Sequence, residues 1–262
     1  MILDGKTVMV IGVGPGLGTS CARVALRDGA NVVVVARNEE RLQSIASDLD
    51  PSGERVIAAS ADIMDQASLD AAVDTAVEQF GGLDAVINVA AMDSAHASFA
   101  DLTDEILQKN VVINVLGAVH VVKAAERAFD VAGGGSVVLI GSQASLKPVG
   151  VIPQSAYAAA KSALLAMARD MAEELGPKGI RVNTVVPTWM WGPNVKMYCE
   201  WQAAERGCTA EDIRDEIAQG MALRKMPTDA DVAEAAAFFA SDRSNMITGQ
   251  RLLVNAGEFY DT

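Results

Sequence analysis

Hydrophobic positions in this chain come in two rhythms, short unbroken runs and longer stretches with a helical period. Val32-Val33-Val34-Val35 and Val137-Val138-Leu139-Ile140 are apolar at every position. A strand with one wet face alternates, whereas a strand covered on both faces does not, so these runs read as strands of a parallel sheet under helices. The same reading places strands at 7–11, 31–36, 56–61, 85–89, 136–141, 180–186 and 251–255. Helical periodicity falls between them, near 17–28, 39–49, 66–80, 103–129, 155–175 and 229–240. Thr228-Asp229-Ala230-Asp231 gives the last of these a capping-box start. Alternating strand and helix predicts a doubly wound α/β fold, a single domain over 1–262 with seven parallel strands and helices on both faces. Gly81-Gly82 and Gly133-Gly134-Gly135 read as turns, and 187–220 as one irregular excursion. Ligands of such sheets sit beyond the carboxyl ends of the strands, so the excursion lies where a substrate loop or lid belongs.

Composition narrows the function. Half of the 262 residues are hydrophobic and 21% are charged, which excludes disorder. Twenty-one basic residues against 34 acidic ones give a net charge of −13. Such a charge repels phosphate polymers and anionic membranes, so neither is expected as a partner, and it disfavours a highly acidic carrier protein as substrate. Cys21, Cys199 and Cys208 form no CxxC pair, and an odd count suits a reducing cytoplasm. His96 and His120 stand in no metal-ligand spacing and read as core or surface residues, so no metal is expected. There is no run of about 18 apolar residues, and Met1-Ile2-Leu3-Asp4-Gly5-Lys6 lacks the basic stretch of a signal peptide. The expectation is a cytoplasmic protein with a small-molecule substrate.

Two motifs carry chemistry. The first strand runs into Gly12-Val13-Gly14-Pro15-Gly16-Leu17-Gly18, which opens a helix. Glycines there let backbone approach a pyrophosphate at a helix amino terminus, where N–H groups and dipole favour negative charge. The spacing is GxxxGxG and not the commoner GxGxxG, and the competing reading is a tight turn with no ligand. Tyr157 and Lys161 lie four apart on a predicted helix, hence on one face. A free phenol has a pKa of about 10; a nearby ammonium and an oxidised nicotinamide favour its ionised form. Tyr157 then serves as general base to an alcohol or general acid to a carbonyl. Ser142 ends the fifth strand and offers a hydroxyl to the developing charge. Asn114 is a polar residue within an apolar helical stretch, read either as a structural hydrogen bond or as the holder of a water beside Lys161.

Together these residues resemble the short-chain dehydrogenase/reductase family, almost end to end. The resemblance includes Asp62-Ile63 after the third strand, Asn88-Val89-Ala90-Ala91 after the fourth, and Arg181-Val182-Asn183 in the sixth. It includes the ending Ile247-Thr248-Gly249-Gln250 with Val254-Asn255-Ala256-Gly257. It implies a Rossmann-like fold and a catalytic set of Asn114, Ser142, Tyr157 and Lys161. It implies a cofactor site of Gly12, Gly14, Gly16, Leu17, Gly18, Arg37, Asp62, Ile63, Asn88, Tyr157, Lys161, Pro187 and Met190. The implied activity is hydride transfer between a nicotinamide cofactor and an alcohol/ketone pair, in a homotetramer or homodimer. The family's enoyl reductases space tyrosine and lysine more widely, which favours carbonyl chemistry here. The alternatives are a 3-oxoacyl thioester reductase and a dinucleotide-binding regulator without chemistry.

Several positions depart from the family. Ile11 replaces a threonine that hydrogen-bonds the Asn88 region. The Ser142–Tyr157 spacing of fifteen enlarges the loop at 147–154. Pro187 is followed by Thr188, and Gly192 stands where a threonine holds the carboxamide. The second strand ends in Ala36-Arg37 with no acid before Glu39; a guanidinium suits a 2′-phosphate, so NADP(H) is the expected preference, with NAD(H) as the alternative. Trp189, Trp191 and Trp201 all fall in the excursion beside Met190, Met197 and Tyr198. Their concentration predicts that Trp189, Trp191 and Met197, with Ser142, wall a broad apolar pocket for a bulky steroid, terpenoid or aryl substrate. The competing reading packs them on the scaffold or a partner subunit.

Overall fold

The computed structural model describes residues 1–93 and 97–260. Its seven strands are β1 (Thr7–Ile11), β2 (Asn31–Ala36), β3 (Val56–Ser60), β4 (Ala85–Asn88), β5 (Gly135–Ile140), β6 (Ile180–Pro187) and β7 (Arg251–Val254). They form one parallel sheet in the order β3-β2-β1-β4-β5-β6-β7.

The unbroken valine runs have a simple cause. Val8, Val10, Val32 and Val34 point to one face, which α1 (Leu17–Arg27), α2 (Glu39–Leu49) and α9 (Asp229–Ala240) cover. Met9, Ile11, Val33 and Val35 point to the other, under α3 (Gln66–Phe80), α5 (Gly117–Ala132) and α6 (Ser155–Leu175). Both sides of each central strand are therefore removed from water, at roughly 1.5–3 kcal/mol per large aliphatic side chain.

The 103–129 helix is one stretch, Asp104–Ala132, but not regular throughout. It is α4 (Asp104–Val111), a π turn at Val112–Leu116 and then α5. The stretch Asp104–Ala132 has the length and hydropathy to cross a membrane, but Ala118, Val121, Ala125 and Phe129 form part of the core. Nor is 187–220 irregular. It folds into α7 (Pro193–Arg206), with proline at its first position, and α8 (Ala210–Ala218), started by a Thr209–Asp212 capping box. His120 holds its place through Nδ1, 2.9 Å from the Ile63 carbonyl oxygen. His96 lies outside the described residues.

Sheet order reverses direction between β1 and β4, where Ile11 pairs with Asn88. The crevice beyond the carboxyl ends of these two strands is the place where open α/β sheets bind ligands.

Candidate active site

A cleft of about 880 Å³ opens at this crevice. Its floor at one end is the glycine turn. A Cβ on Gly12 would lie 2.4 Å from the Ala90 backbone nitrogen, and one on Gly18 2.6 Å from the Gly12 carbonyl oxygen. Those two glycines let the turn close against β4 and let α1 start directly above it. Gly14 has open space around it, so packing does not require a glycine there; its carbonyl accepts from the Thr19 hydroxyl at 2.8 Å. Gly16 precedes α1 with φ 106°, and no side chain caps that helix. The first-turn N–H groups of α1 therefore have neither an intrahelical nor a side-chain acceptor, with Gly16 and Leu17 on the cleft wall.

Further along, Arg37, Asp62 and Ile63 line the cleft. The Arg37 guanidinium is well exposed and stands 3.9 Å from the Asp62 carboxylate, a pair too solvated to hold the arginine firmly. Asn88 is buried just below the wall, and its Oδ1 has no partner among the described residues. Apolar Ile11, its register neighbour, supplies no hydroxyl. Pro187 and Met190 line the opposite side. The uncapped helix terminus, the close-packed turn and the length of cleft from Arg37 to Lys161 fit a dinucleotide.

At the far end, β5 and α6 bring Ser142, Tyr157 and Lys161 together. Ser142 follows β5 in extended conformation, and its hydroxyl accepts from the Ala144 N–H at 3.2 Å. Lys161 is buried, donates from Nζ to the Ile140 carbonyl at 2.8 Å and lies 5.7 Å from the centre of the Tyr157 ring. Burial pushes the Tyr157 hydroxyl well above the usual phenol range; a hydrogen bond with Ser142 pulls it back and the Asp93 carboxylate raises it further. Burial pulls Lys161 down to about 8, against a smaller opposing effect of Asp93. The phenol is thus held neutral, and the ammonium titrates within reach of neutral pH.

Asn114 sits inside the π turn, a feature that often marks functional sites. Its Nδ2 donates to the carbonyls of Met92 and Asn110, each at 3.0 Å, and its Oδ1 accepts from Met92 N–H at 3.1 Å. The side-chain amide thereby ties the π turn to the chain leaving β4.

The tryptophans require a correction. Trp189, Trp191 and Met197 do not line the cleft. Trp191 packs on the small core of Cys199, Ala203 and Ile213 between α7 and α8, and Arg214 and Lys196 lie 5.1 and 5.5 Å from its ring centre. Trp189 stacks on Tyr198 at 5.3 Å, and Met197 is solvent-exposed. Helices α7 and α8 need an apolar cover for their facing stripe, and Trp191 provides it. Trp191→Ala should accordingly lower stability by about 3 kcal/mol, the low end for truncating a large aromatic. Urea melts should show the loss, with Michaelis constants for large and small ketones changing alike.

Beside Ser142 and Tyr157, other groups that line this end were not singled out from sequence. Asp93 accepts from the Asn194 side chain at 2.8 Å, and both face the cleft together with Thr188. Behind Thr188, whose hydroxyl donates to Glu258, Lys147 pairs with Glu258 at 3.0 Å. With its amide nitrogen toward that carboxylate, the buried Gln143 donates to Glu258 at 3.0 Å. This network ties the tail to the substrate end of the cleft. Residues 93 and 194 lie in segments 101 residues apart, so no local pattern announces their meeting.

Comparison with known proteins agrees with this geometry. A family profile described as Enoyl-(Acyl carrier protein) reductase matches residues 12–258. The chain is 31% identical to oxidoreductase UcpA of Salmonella typhimurium, over 97% of this chain and 95% of that one. It is 32% identical to an L-rhamnose 1-dehydrogenase (NAD(P)(+)) of Azotobacter vinelandii, over 99% and 98% of the two chains. Among solved structures, a glucose/ribitol dehydrogenase of Brucella melitensis, described as a short-chain dehydrogenase/reductase, superposes with a TM-score of 0.86 at 26% identity. That likeness covers 99% of each chain. The uncapped glycine turn, the Ser142–Tyr157–Lys161 convergence and these relatives lead to one conclusion: the chain belongs to the short-chain dehydrogenase/reductase family of oxidoreductases.

Proposed function

We propose that this protein is an NAD(P)-dependent dehydrogenase that interconverts a secondary alcohol and its ketone, with a substrate that carries at least one further hydroxyl. The observation that supports it is the company kept by Ser142, Tyr157 and Lys161: Asp93, Asn194 and Thr188 occupy the substrate end, and the tryptophans lie elsewhere. Carboxylate and amide groups suit hydroxyls, whereas a steroid or aryl ketone would desolvate them and offer nothing to their remaining hydrogen-bonding capacity. The relatives named for rhamnose and for glucose or ribitol act on compounds of the favoured kind. A thioester on an acidic carrier suits this cleft less, because Asp93 and the net charge of −13 both repel it.

When bound, the cofactor supplies or accepts the hydride. The protein's own part is to hold and move one proton. Ser142 hydrogen-bonds the reacting oxygen, and the Tyr157 hydroxyl gives its proton to that oxygen during reduction or removes it during oxidation. Lys161, fixed by Ile140, keeps a positive charge under the phenol and stabilises the phenolate. Turnover measured over a panel of hydroxy-ketones, sugars and aryl ketones tests this reading. Higher kcat/KM for the aryl ketones would return the substrate to the bulky class, and cofactor binding without any turnover would favour the regulator.

NADP(H) is the proposed preference, carried by Arg37, whose exposed guanidinium is free to meet a 2′-phosphate. Arg37→Ala should weaken NADPH binding about tenfold, the scale of one charge-assisted hydrogen bond, and leave NADH almost unchanged. Equal losses for the two cofactors in a fluorescence titration would refute the assignment. The segment 187–220, with α7 and α8, is proposed to act as the lid over this end of the cleft.

A further inference from the structure

One carboxylate on the cleft wall has no part in the chemistry above. Asp229 opens α9, but Thr228 and Asp231 form the capping box there and leave the Asp229 side chain free. It leans against two glycines: a Cβ on Gly192 would lie 2.5 Å from its Oδ1, and one on Gly16 3.3 Å from its Oδ2. Gly16 immediately precedes α1, so this carboxylate stands beside the amino-terminal turn of that helix. Oδ1 is buried and has no hydrogen-bond partner among the described residues.

The charged and titratable groups that face Asp229 are few. Lys196 of α7 acts on it from a distance, and the Cys21 thiol of α1 is buried and held neutral. Half-burial raises the Asp229 carboxyl above the usual carboxylate range, and Lys196 only partly opposes that. A phosphate offers acceptors alone; an ionised carboxylate gives it nothing to bond, whereas a carboxylic acid donates one hydrogen bond.

We propose that Asp229 is a charge gate on the cofactor: ionised, it repels the pyrophosphate at the α1 turn, and tight binding is coupled to the uptake of one proton on its carboxyl. The inference rests on the dinucleotide reading of the cleft. An anion bound beside Asp229 raises its pKa further, so the bound state holds the proton more tightly than the free state. Affinity is then greatest below the free-state pKa and falls as pH rises toward the bound-state pKa. Cofactor release should quicken in the same direction.

Fluorescence titration of NADH and NADPH into wild type and Asp229→Asn, from about pH 8 down to about pH 4.5, where a raised carboxyl titrates, tests the gate. NADH carries no 2′-phosphate to titrate, and Lys161 loses its charge near 8 in both proteins. Only the difference between the two proteins therefore reports on Asp229. The variant should bind both cofactors about tenfold more tightly than wild type at pH 8, the equivalent of one pKa unit, with the gap closing as the pH falls into the carboxylate range. Calorimetry at the acid end of that range, in buffers of different ionisation enthalpy, should show proton uptake in wild type and less in the variant. Equal or weaker binding by Asp229→Asn at every pH, or a gap that does not change with pH, overturns the proposal. Failure of both proteins to bind either cofactor overturns the dinucleotide reading and the gate with it.

Discussion

Tyr157→Phe is expected to lower kcat by ~10²–10⁴-fold, the range that proton transfer by a positioned side chain contributes. The half-buried ring keeps its volume, so packing against its neighbours is retained while the one transferable proton goes. Cofactor affinity should change by less than about twofold, because the pyrophosphate turn lies at the other end of the cleft and Lys161 keeps its bond to Ile140. The measurement is steady-state turnover beside a fluorescence titration of NADPH. Residual activity above about a tenth of wild type would remove Tyr157 from the proton-transfer step, since a true donor contributes more than that. A neutral phenol in the free protein also gives the variant a mild signature in stability: it removes the hydroxyl and the hydrogen bond that Ser142 makes with it.

How legible each part was follows from whether its cause is local. The strands were readable because a parallel sheet with both faces covered demands runs such as Val32-Val33-Val34-Val35, and every observed strand boundary falls within a residue of the reading. Ser142, Tyr157 and Lys161 were readable because a strand end and one helix face bring them together over nineteen positions. The segment 187–220 was not, since α7 and α8 bury narrow stripes against each other and leave most of their surface wet. Three tryptophans close together marked an apolar cluster correctly, but sequence density does not say which way a ring points, and Trp191 turned toward the helices. The π turn left no trace either, because Val112, Ile113 and Val115 suit a regular buried helix as well as a bulge. Asp93, Asn194 and Asp229 acquire their meaning from partners on other elements, at separations no periodicity can carry.

Lys161→Met is expected to make the protein more stable and inactive at once. The wild-type ammonium is buried, and its pKa falls from 10.5 to about 8, so folding works against its charged form. Each pKa unit corresponds to about 1.4 kcal/mol, which puts the full penalty near 3 kcal/mol at neutral pH. The sign follows from linkage. A base with a depressed folded-state pKa binds fewer protons folded than unfolded between about 8 and 10.5, so wild-type stability rises with pH across that window. Methionine has nearly the same length, removes the charge and leaves only the Ile140 carbonyl without its donor, a loss of about 1–3 kcal/mol. The balance favours the variant by up to about 2 kcal/mol at pH 7, and the advantage should shrink as pH approaches 10 because wild type no longer carries the charge there. Turnover should drop by at least ~10²-fold, since the phenol loses the positive charge that stabilises its ionised form. Urea midpoints at pH 7 and about pH 10, beside activity at pH 7, separate the two effects. An inactive variant that is less stable than wild type at both pH values would mean that Lys161 is chiefly a structural tie between α6 and β5, and not a charge kept buried for the sake of Tyr157.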